Sequence, residues 1–221
     1  MQETSQNSTT PILLNTVLAD AVFRPMLFST TMVKALLDGS KTQTRRIVNP
    51  YPVIDKDSGY VYDGKLRSSY DIHNWKERFI NDHSKCQVGD VIWVRETFGE
   101  IDHPELKFRY KSDHLNPKSV QWKPSLFMPK EACRLFLKVI DVRIERLQDI
   151  SEDDAISEGI LRNHGGFEMY SNFEKIPNYC LSAVESYKSL WRKINGKDSW
   201  LQNPLVWVYS FERVECPHGF R

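Results

Sequence analysis

Segment 135–147 constrains the fold of this chain most strongly, because it alternates like a β-strand and is apolar on both sides along its first half. Leu137 and Val139 fall on one side of such a strand, and Phe136 and Ile140 fall on the other. A strand with two apolar sides is either a central strand of a sheet or part of a barrel wall. The rest of the chain must therefore cover it, and 221 residues with 40% hydrophobic content are enough to do so.

The other predicted strands and helices do not alternate along the chain as strand–helix–strand units. The patterns predict strands at 41–48, 91–96, 108–111 and 205–212, and helices at 29–37, 151–158 and 178–194. The apolar stripe of the last helix is expected to be buried against the barrel as packing, without a catalytic role: Leu181, Val184, Tyr187, Trp191 and Ile194. Residues 1–22 are predicted to be a flexible tail, and 51–85 an insertion without clear periodicity that contains a short helix near 75–80. This order predicts an α+β fold, a mixed β-barrel with flanking helices, in a single domain over 23–216.

Composition excludes several classes of function. There are 30 basic and 29 acidic residues, a net charge of +1, whereas proteins that bind duplex DNA usually carry a strongly basic face. The four cysteines are far apart and form no Cys-x-x-Cys pair, so no zinc site or other metal site is expected, and free thiols suit a cytoplasmic protein. No segment is predicted to cross a membrane.

The stretch Gly39-Ser40-Lys41-Thr42-Gln43-Thr44-Arg45-Arg46 carries the most chemical information. It places a lysine, two threonine hydroxyls and two guanidinium groups directly after a turn. In a regular strand, Lys41 and Thr44 would point to opposite faces, so they meet only if the first residues still belong to the turn. The alternative is a solvated strand whose two arginines lie at the surface.

This stretch resembles the Gly-x-Lys-Thr-x-Thr-x-Arg signature that opens ASCH domains, a family within the PUA-like superfamily. The turn Val88-Gly89-Asp90 before an apolar strand matches a second landmark of that family. Segments 124–129, 145–150 and 207–211 resemble the longer ASCH proteins often found in phages and prophages. The resemblance implies a PUA-like barrel with a cleft beside its first helix.

The resemblance also implies a reaction. The small bacterial ASCH amidohydrolases deacylate cytidine that is acylated on its exocyclic amine, as in N(4)-acetylcytidine, with a Lys, a Thr three residues later and a distant Glu. These fall on Lys41, Thr44 and Glu158. Thr44 would be the nucleophile, and a buried Lys41 could accept its proton. Glu158 would either pass a proton to the leaving amine or hold Lys41, so the identity of the general base stays open.

Five further residues are predicted to bind the substrate: Arg46, Arg45, Thr42, Glu96 and Trp122. For Arg46, a structural ion pair is the alternative. Trp122 lies in a loop and could stack on a base, whereas Trp93 is expected to pack in the core. Three histidines in loops are expected at the surface, His103, His114 and His164.

The sequence therefore leaves three functions open. The first is an amidohydrolase that needs no cofactor, the second is a module that binds RNA or a modified nucleotide without turnover, and the third is a ribonuclease. The expected ligand is a modified nucleoside or RNA. The pattern predicts no oligomeric state.

Overall fold

The structure is a computed structural model that describes residues 21–103, 106–113, 119–163, 165–170 and 179–220. The strands in these ranges are β1 Phe23–Leu27, β2 Gln43–Ile47, β3 Val53–Asp55, β4 Tyr60–Tyr62, β5 Ser69–Asp71, β6 Val91–Arg95, β7 Phe98–Glu100, β8 Phe108–Tyr110, β9 Phe136–Arg146, β10 Arg162–Asn163, β11 Gly166–Glu168, β12 Tyr179–Cys180 and β13 Leu205–Val214. The helices are α1 Thr30–Leu37, α2 Trp75–His83, α3 Glu152–Ser157 and α4 Ala183–Asn195. Short 3₁₀ turns follow at 125–127, 130–132 and 147–149.

A five-stranded sheet in the order β1-β6-β9-β13-β2 forms the centre of the fold. Strands β1 and β6 are parallel, and the other neighbours are antiparallel. The long strand β9 lies in the middle and pairs with β6 on one side and with β13 on the other. The prediction of a central strand is therefore confirmed, and Phe136, Leu137 and Val139 are buried. Ile140 is 51% exposed, so the second apolar side holds at Phe136 and not at Ile140.

The two end strands of this sheet are connected through a side chain. Arg46 on β2 donates a hydrogen bond from Nη2 to the backbone carbonyl of Leu27 on β1, at 2.9 Å. Within the described ranges no backbone ladder joins β1 to β2. The α+β class and the mixed sheet are confirmed, whereas closure into a barrel stays a prediction.

Helix α1 forms where its sequence predicts it. The Ser29 hydroxyl caps its first turn by accepting a hydrogen bond from the backbone N–H of Met32, at 3.4 Å. Its buried face carries Met32, Val33, Ala35 and Leu36, which recur at helical spacing. Met32, Val33 and Leu36 pack into the main hydrophobic core. The helix therefore fixes the start of the turn that leads to Lys41.

Segment 51–85 is more regular than its sequence suggests. It contains the three-stranded antiparallel sheet β3-β4-β5 and helix α2, which extends beyond the predicted 75–80 to His83. Each of the three strands has only three residues, which is too short for an alternating pattern to be recognised. The buried side chains of Val61, Tyr70 and Phe79 attach this segment to the main core.

The helix predicted at 178–194 begins later than its pattern indicates. Ser182 caps it by accepting a hydrogen bond from the backbone N–H of Glu185, so α4 starts at Ala183. Leu181 lies outside the helix and is 78% exposed, and Ile194 is also exposed, so the expectation that both are buried is wrong. The three-residue step from Leu181 to Val184 matched helical spacing only by coincidence.

Some predictions fall on residues that lie outside the described ranges. These are the flexible tail, except for residues 21 and 22, and the surface positions of His114 and His164.

Candidate functional site

The turn after α1 places Lys41 against the end of α3. Gly39 has a φ of 81°, a left-handed conformation that reverses the chain, and the backbone N–H of Lys41 then donates to the Ala35 carbonyl at 2.9 Å. Lys41 and Glu158 form an isolated antiparallel bridge outside the sheet. Gly159 permits this close approach, because a Cβ on it would lie 2.7 Å from the Ala35 Cβ and 2.8 Å from the Lys41 Cβ.

Helix α3 holds Glu158 at its C-terminal end. The Ser151 hydroxyl caps the helix by accepting from the backbone N–H of Asp154 at 3.1 Å, and Glu158 is the C-cap residue. At the other end, Glu152 accepts hydrogen bonds from the Ser182 hydroxyl at 2.6 Å and from the Ala183 backbone at 2.7 Å. One short helix therefore positions Glu158 and also fixes the start of α4.

Lys41 is buried, with 4% of its surface exposed, and its ammonium group has three partners. Its Nζ donates to Glu158 Oε2 at 2.8 Å, to the Glu158 carbonyl at 2.8 Å and to the Gln43 carbonyl at 2.7 Å. Three acceptors match the three protons of an ammonium group. Burial lowers the pKa of Lys41, and the attraction of the Glu158 carboxylate offsets this only in part.

Arg45 lies beside Lys41 and joins several carboxylates. Its guanidinium contacts Glu145 Oε1 at 2.7 Å, Asp154 Oδ2 at 3.1 Å and Glu158 Oε1 at 3.1 Å. Burial raises the pKa of Asp154, but a hydrogen bond from Gln43 and the charge of Arg45 outweigh it and hold that pKa below its usual range. Arg45 is 2% exposed, so it acts inside the protein as the centre of an ion-pair network.

A cavity of about 220 Å³ opens above these charges, between α1, β2 and α4. The predicted catalytic residues Lys41, Thr44 and Glu158 all line it, as do Arg45 and Arg46. The strand β2 begins only at Gln43, so Lys41 still belongs to the turn and can share a cavity with Thr44. Their catalytic roles stay predictions. The other lining residues are Leu27, Phe28, Ser29, Met32, Ile47, Tyr187, Leu190, Trp191, Ile194 and Asn195.

The two other residues predicted from the same stretch differ in position. Arg46 is half-buried at the cavity, where its guanidinium lies 5.3 Å from the centre of the Phe28 ring and bonds the Leu27 carbonyl. Thr42 is exposed and does not line the cavity. Its backbone N–H donates to the carbonyl of Ser157 at 2.8 Å. Thr42 therefore contacts the end of α3 through its backbone.

Glu96 and Trp122 are not brought to this cavity. Glu96 is 1% exposed and accepts hydrogen bonds from Arg134 Nε at 2.9 Å and from the Ser112 hydroxyl. Trp122 is half-buried, outside the cavity wall. The sequence shows that Glu96 ends a strand, but not that Arg134 and Ser112 enclose it. Trp93 packs in the core against Phe220, as expected.

The sequence did not indicate that α4 forms one wall of the cavity. Its periodicity was interpreted as packing alone, yet Tyr187, Leu190 and Trp191 both pack and line the cavity. Burial raises the pKa of Tyr187 well above its usual range, so its hydroxyl stays protonated. The sequence did contain one signal of this cavity wall. Tyr187 and Trp191 lie four positions apart on the buried face, and each carries a polar atom.

Among the described residues, no helix is both long and apolar enough to cross a membrane. The same ranges contain no group of three or more His, Cys, Asp or Glu side chains arranged to hold a metal ion. A second cavity, of about 430 Å³, lies at Cys133, Arg134 and Cys216 and contains none of the predicted site residues.

Comparisons with known proteins give little further information. No protein-family model matches the chain. No curated protein matches it significantly. Among solved structures, it is similar to the crystal structure of an Enterococcus faecalis protein of family DUF984, with 11% identity and a TM-score of 0.38, over 88% of this chain and 76% of that one. A likeness at this level establishes neither a shared fold nor a shared function.

Proposed function

We propose that this protein is an ASCH-type amidohydrolase with a PUA-like barrel, and that it removes an acyl group from the exocyclic amine of a cytidine-type nucleoside. The observation that carries the proposal is that Lys41, Thr44 and Glu158 line one cavity, with Lys41 Nζ 2.8 Å from Glu158 Oε2. These three residues come from a turn, a strand and a helix end, and Lys41 and Glu158 are separated by 117 positions along the chain.

The size of the cavity supports a small ligand. Its volume of about 220 Å³ lies below the roughly 300–1,000 Å³ of pockets for drug-sized molecules. One pyrimidine nucleoside, with part of it outside the cavity, suits this space better than a folded polymer. The near-neutral charge of the chain agrees with such a ligand.

The hydrogen bonds favour Glu158 over Lys41 as the first proton acceptor. All three protons of Lys41 already have acceptors, whereas the carboxylate of Glu158 has lone pairs left after accepting from Lys41 and Arg45. Thr44 would attack the acyl carbonyl as its proton passes to Glu158. Collapse of the tetrahedral intermediate would break the C–N bond, with Glu158 returning the proton to the leaving amine. Water then hydrolyses the threonine ester.

A non-catalytic binding module is the second candidate, and the same ion pair favours it. A lysine whose three donors are all used, next to an arginine that joins three carboxylates, also describes a rigid scaffold for a bound ligand. The two candidates differ in turnover, because the hydrolase would convert its ligand to product and the module would only bind it.

Incubation with N(4)-acetylcytidine, followed by the ultraviolet shift to cytidine, tests the proposal. We expect turnover by the wild type and a loss of several orders of magnitude in Thr44→Ala, with cytidine binding retained, because only the nucleophile is removed. Thr44→Ser keeps the hydroxyl and is the matched control, which should retain measurable turnover. Binding without turnover in the wild type would favour the module. Near-normal turnover in Thr44→Ala would replace the covalent route by attack of a water activated by Glu158.

A further inference from the structure

The indole N–H of Trp191 is a buried hydrogen-bond donor with no partner. Only two buried side-chain polar atoms in the described part of the chain lack a partner, Trp191 Nε1 and Arg95 Nε. Arg95 still donates through Nη2 to the Leu126 carbonyl. The indole of Trp191 has a single N–H and no other polar atom, so its entire hydrogen-bonding capacity is unused.

Trp191 also lines the cavity that holds Lys41, Thr44 and Glu158. It is 4% exposed, so bulk water does not compensate for the missing acceptor. A buried donor without an acceptor destabilises the folded protein, and native proteins keep few of them. A phenylalanine would fill most of the same volume without this disadvantage. An unpartnered donor on a residue that lines a cavity is therefore best explained by an acceptor that arrives with a ligand.

The surroundings of Trp191 indicate what kind of acceptor this is. The wall of α4 on which it lies is mostly apolar and aromatic, with Tyr187, Leu190 and Ile194 beside it. The ring of Tyr187 is centred 6.2 Å from that of Trp191 and tilted by 45°. A neutral donor on an aromatic wall suits an uncharged planar ring with a carbonyl oxygen, whereas the charges of the cavity belong to Lys41, Arg45, Arg46 and Glu158 on its other walls.

We infer that Trp191 is a substrate-binding residue whose indole N–H donates a hydrogen bond to the ring carbonyl oxygen of a pyrimidine nucleoside. This inference rests on the proposed function for the identity of the ligand, but it does not need turnover. It assigns recognition of the base to α4 and the acyl-transfer chemistry to the turn after α1 and the end of α3. Trp191 thus selects the ligand, and Lys41, Thr44 and Glu158 act on it.

Cytidine binding by calorimetry tests this inference with Trp191→Phe, which keeps an aromatic ring and removes the N–H. We expect an affinity for cytidine about tenfold lower, equivalent to about 1.4 kcal/mol. Trp200→Phe is the matched control, because Trp200 is buried against Tyr187 but does not line the cavity, and its affinity should equal that of the wild type. With 2-thiocytidine, whose ring sulfur is a weaker acceptor, the difference between wild type and Trp191→Phe should shrink.

If Trp191→Phe does not fold, an NMR measurement on the wild type tests the same inference. In ¹H–¹⁵N spectra of the wild type, the Trp191 indole resonance, assigned by comparison with conservative variants of the other tryptophans, should shift when cytidine is added. Unchanged cytidine affinity in a folded Trp191→Phe variant would overturn the inference while leaving the hydrolase proposal intact. A Trp191 resonance that no pyrimidine nucleoside shifts would overturn it as well. If Trp191→Phe binds cytidine about tenfold more weakly while the wild type never hydrolyses N(4)-acetylcytidine, the inference would be supported and the hydrolase proposal refuted.

Discussion

Glu158→Gln tests whether the buried pair of Lys41 and Glu158 is charged in solution. The substitution keeps the shape of the side chain and removes its negative charge, so Lys41 becomes a buried ammonium without a carboxylate. Removing one partner of a buried ion pair costs about 3–5 kcal/mol. Arg45 keeps Glu145 and Asp154, and Lys41 keeps two backbone carbonyls, so we expect the lower end, about 3 kcal/mol.

The loss of unfolding free energy in Glu158→Gln should depend on pH in a defined direction. Burial lowers the pKa of Lys41 in the folded protein, and the variant also lacks the carboxylate that partly raised it. Between this lowered pKa and the ordinary lysine value, the unfolded chain binds more protons than the folded one, so the free energy of unfolding rises with pH. The deficit of the variant should therefore shrink as the pH rises through the lowered pKa of Lys41 towards the ordinary lysine value of about 10.4, because Lys41 loses its proton there.

Urea unfolding at several pH values measures both effects. Glu100→Gln is the matched control, because Glu100 forms an ion pair of similar length with Lys123, at 2.7 Å, on the exposed surface. That control should unfold like the wild type, since water screens the pair. If Glu158→Gln stayed within about 0.5 kcal/mol of the wild type at pH 7, the claim that this pair is buried and ionised would be refuted.

Two stability comparisons follow from the packing around the site. Gly39→Ala should cost about 1–2 kcal/mol, since only the left-handed backbone conformation opposes it and no atom lies within 4 Å of the added Cβ. Gly159→Ala should cost clearly more in the same urea assay, because its Cβ would overlap Ala35 and Lys41; equal losses would show that this contact is absent. Leu36→Ala should cost about 2–5 kcal/mol because Leu36 is 2% exposed. Leu181→Ala should change the free energy of unfolding by less than about 0.5 kcal/mol, and a larger loss would mean that Leu181 is buried in solution.

Much of the local structure could be predicted from the sequence. The two-sided apolar pattern of β9 and the capped amphipathic pattern of α1 are properties of consecutive residues, and both elements lie within a residue of their predicted bounds. The turn through Gly39, which allows Lys41 and Thr44 to line one cavity, is local in the same way. Glu158 is different, because only resemblance to a family pointed to it.

Tertiary structure alone decided which residues surround each side chain. Periodicity records that Tyr187 and Trp191 are buried, but it cannot show that their helix faces a cavity rather than a solid core. Likewise, Glu96 ends a strand as predicted, and only the fold encloses it with Arg134.

The ion-pair network around Arg45 could not be predicted from the sequence either. Arg45 is an ordinary strand residue by sequence. Its partners lie about a hundred positions away, Glu145 on β9, Asp154 on α3 and Glu158 at the C-terminal end of α3. A repeating pattern reflects contacts between residues a few positions apart, whereas strand order and helix docking depend on the free energy of packing the whole chain. For this protein, the sequence determined the elements and the chemical groups. The order β1-β6-β9-β13-β2, with α4 packed against α3 and lining the same cavity as β2, decided which of those groups meet.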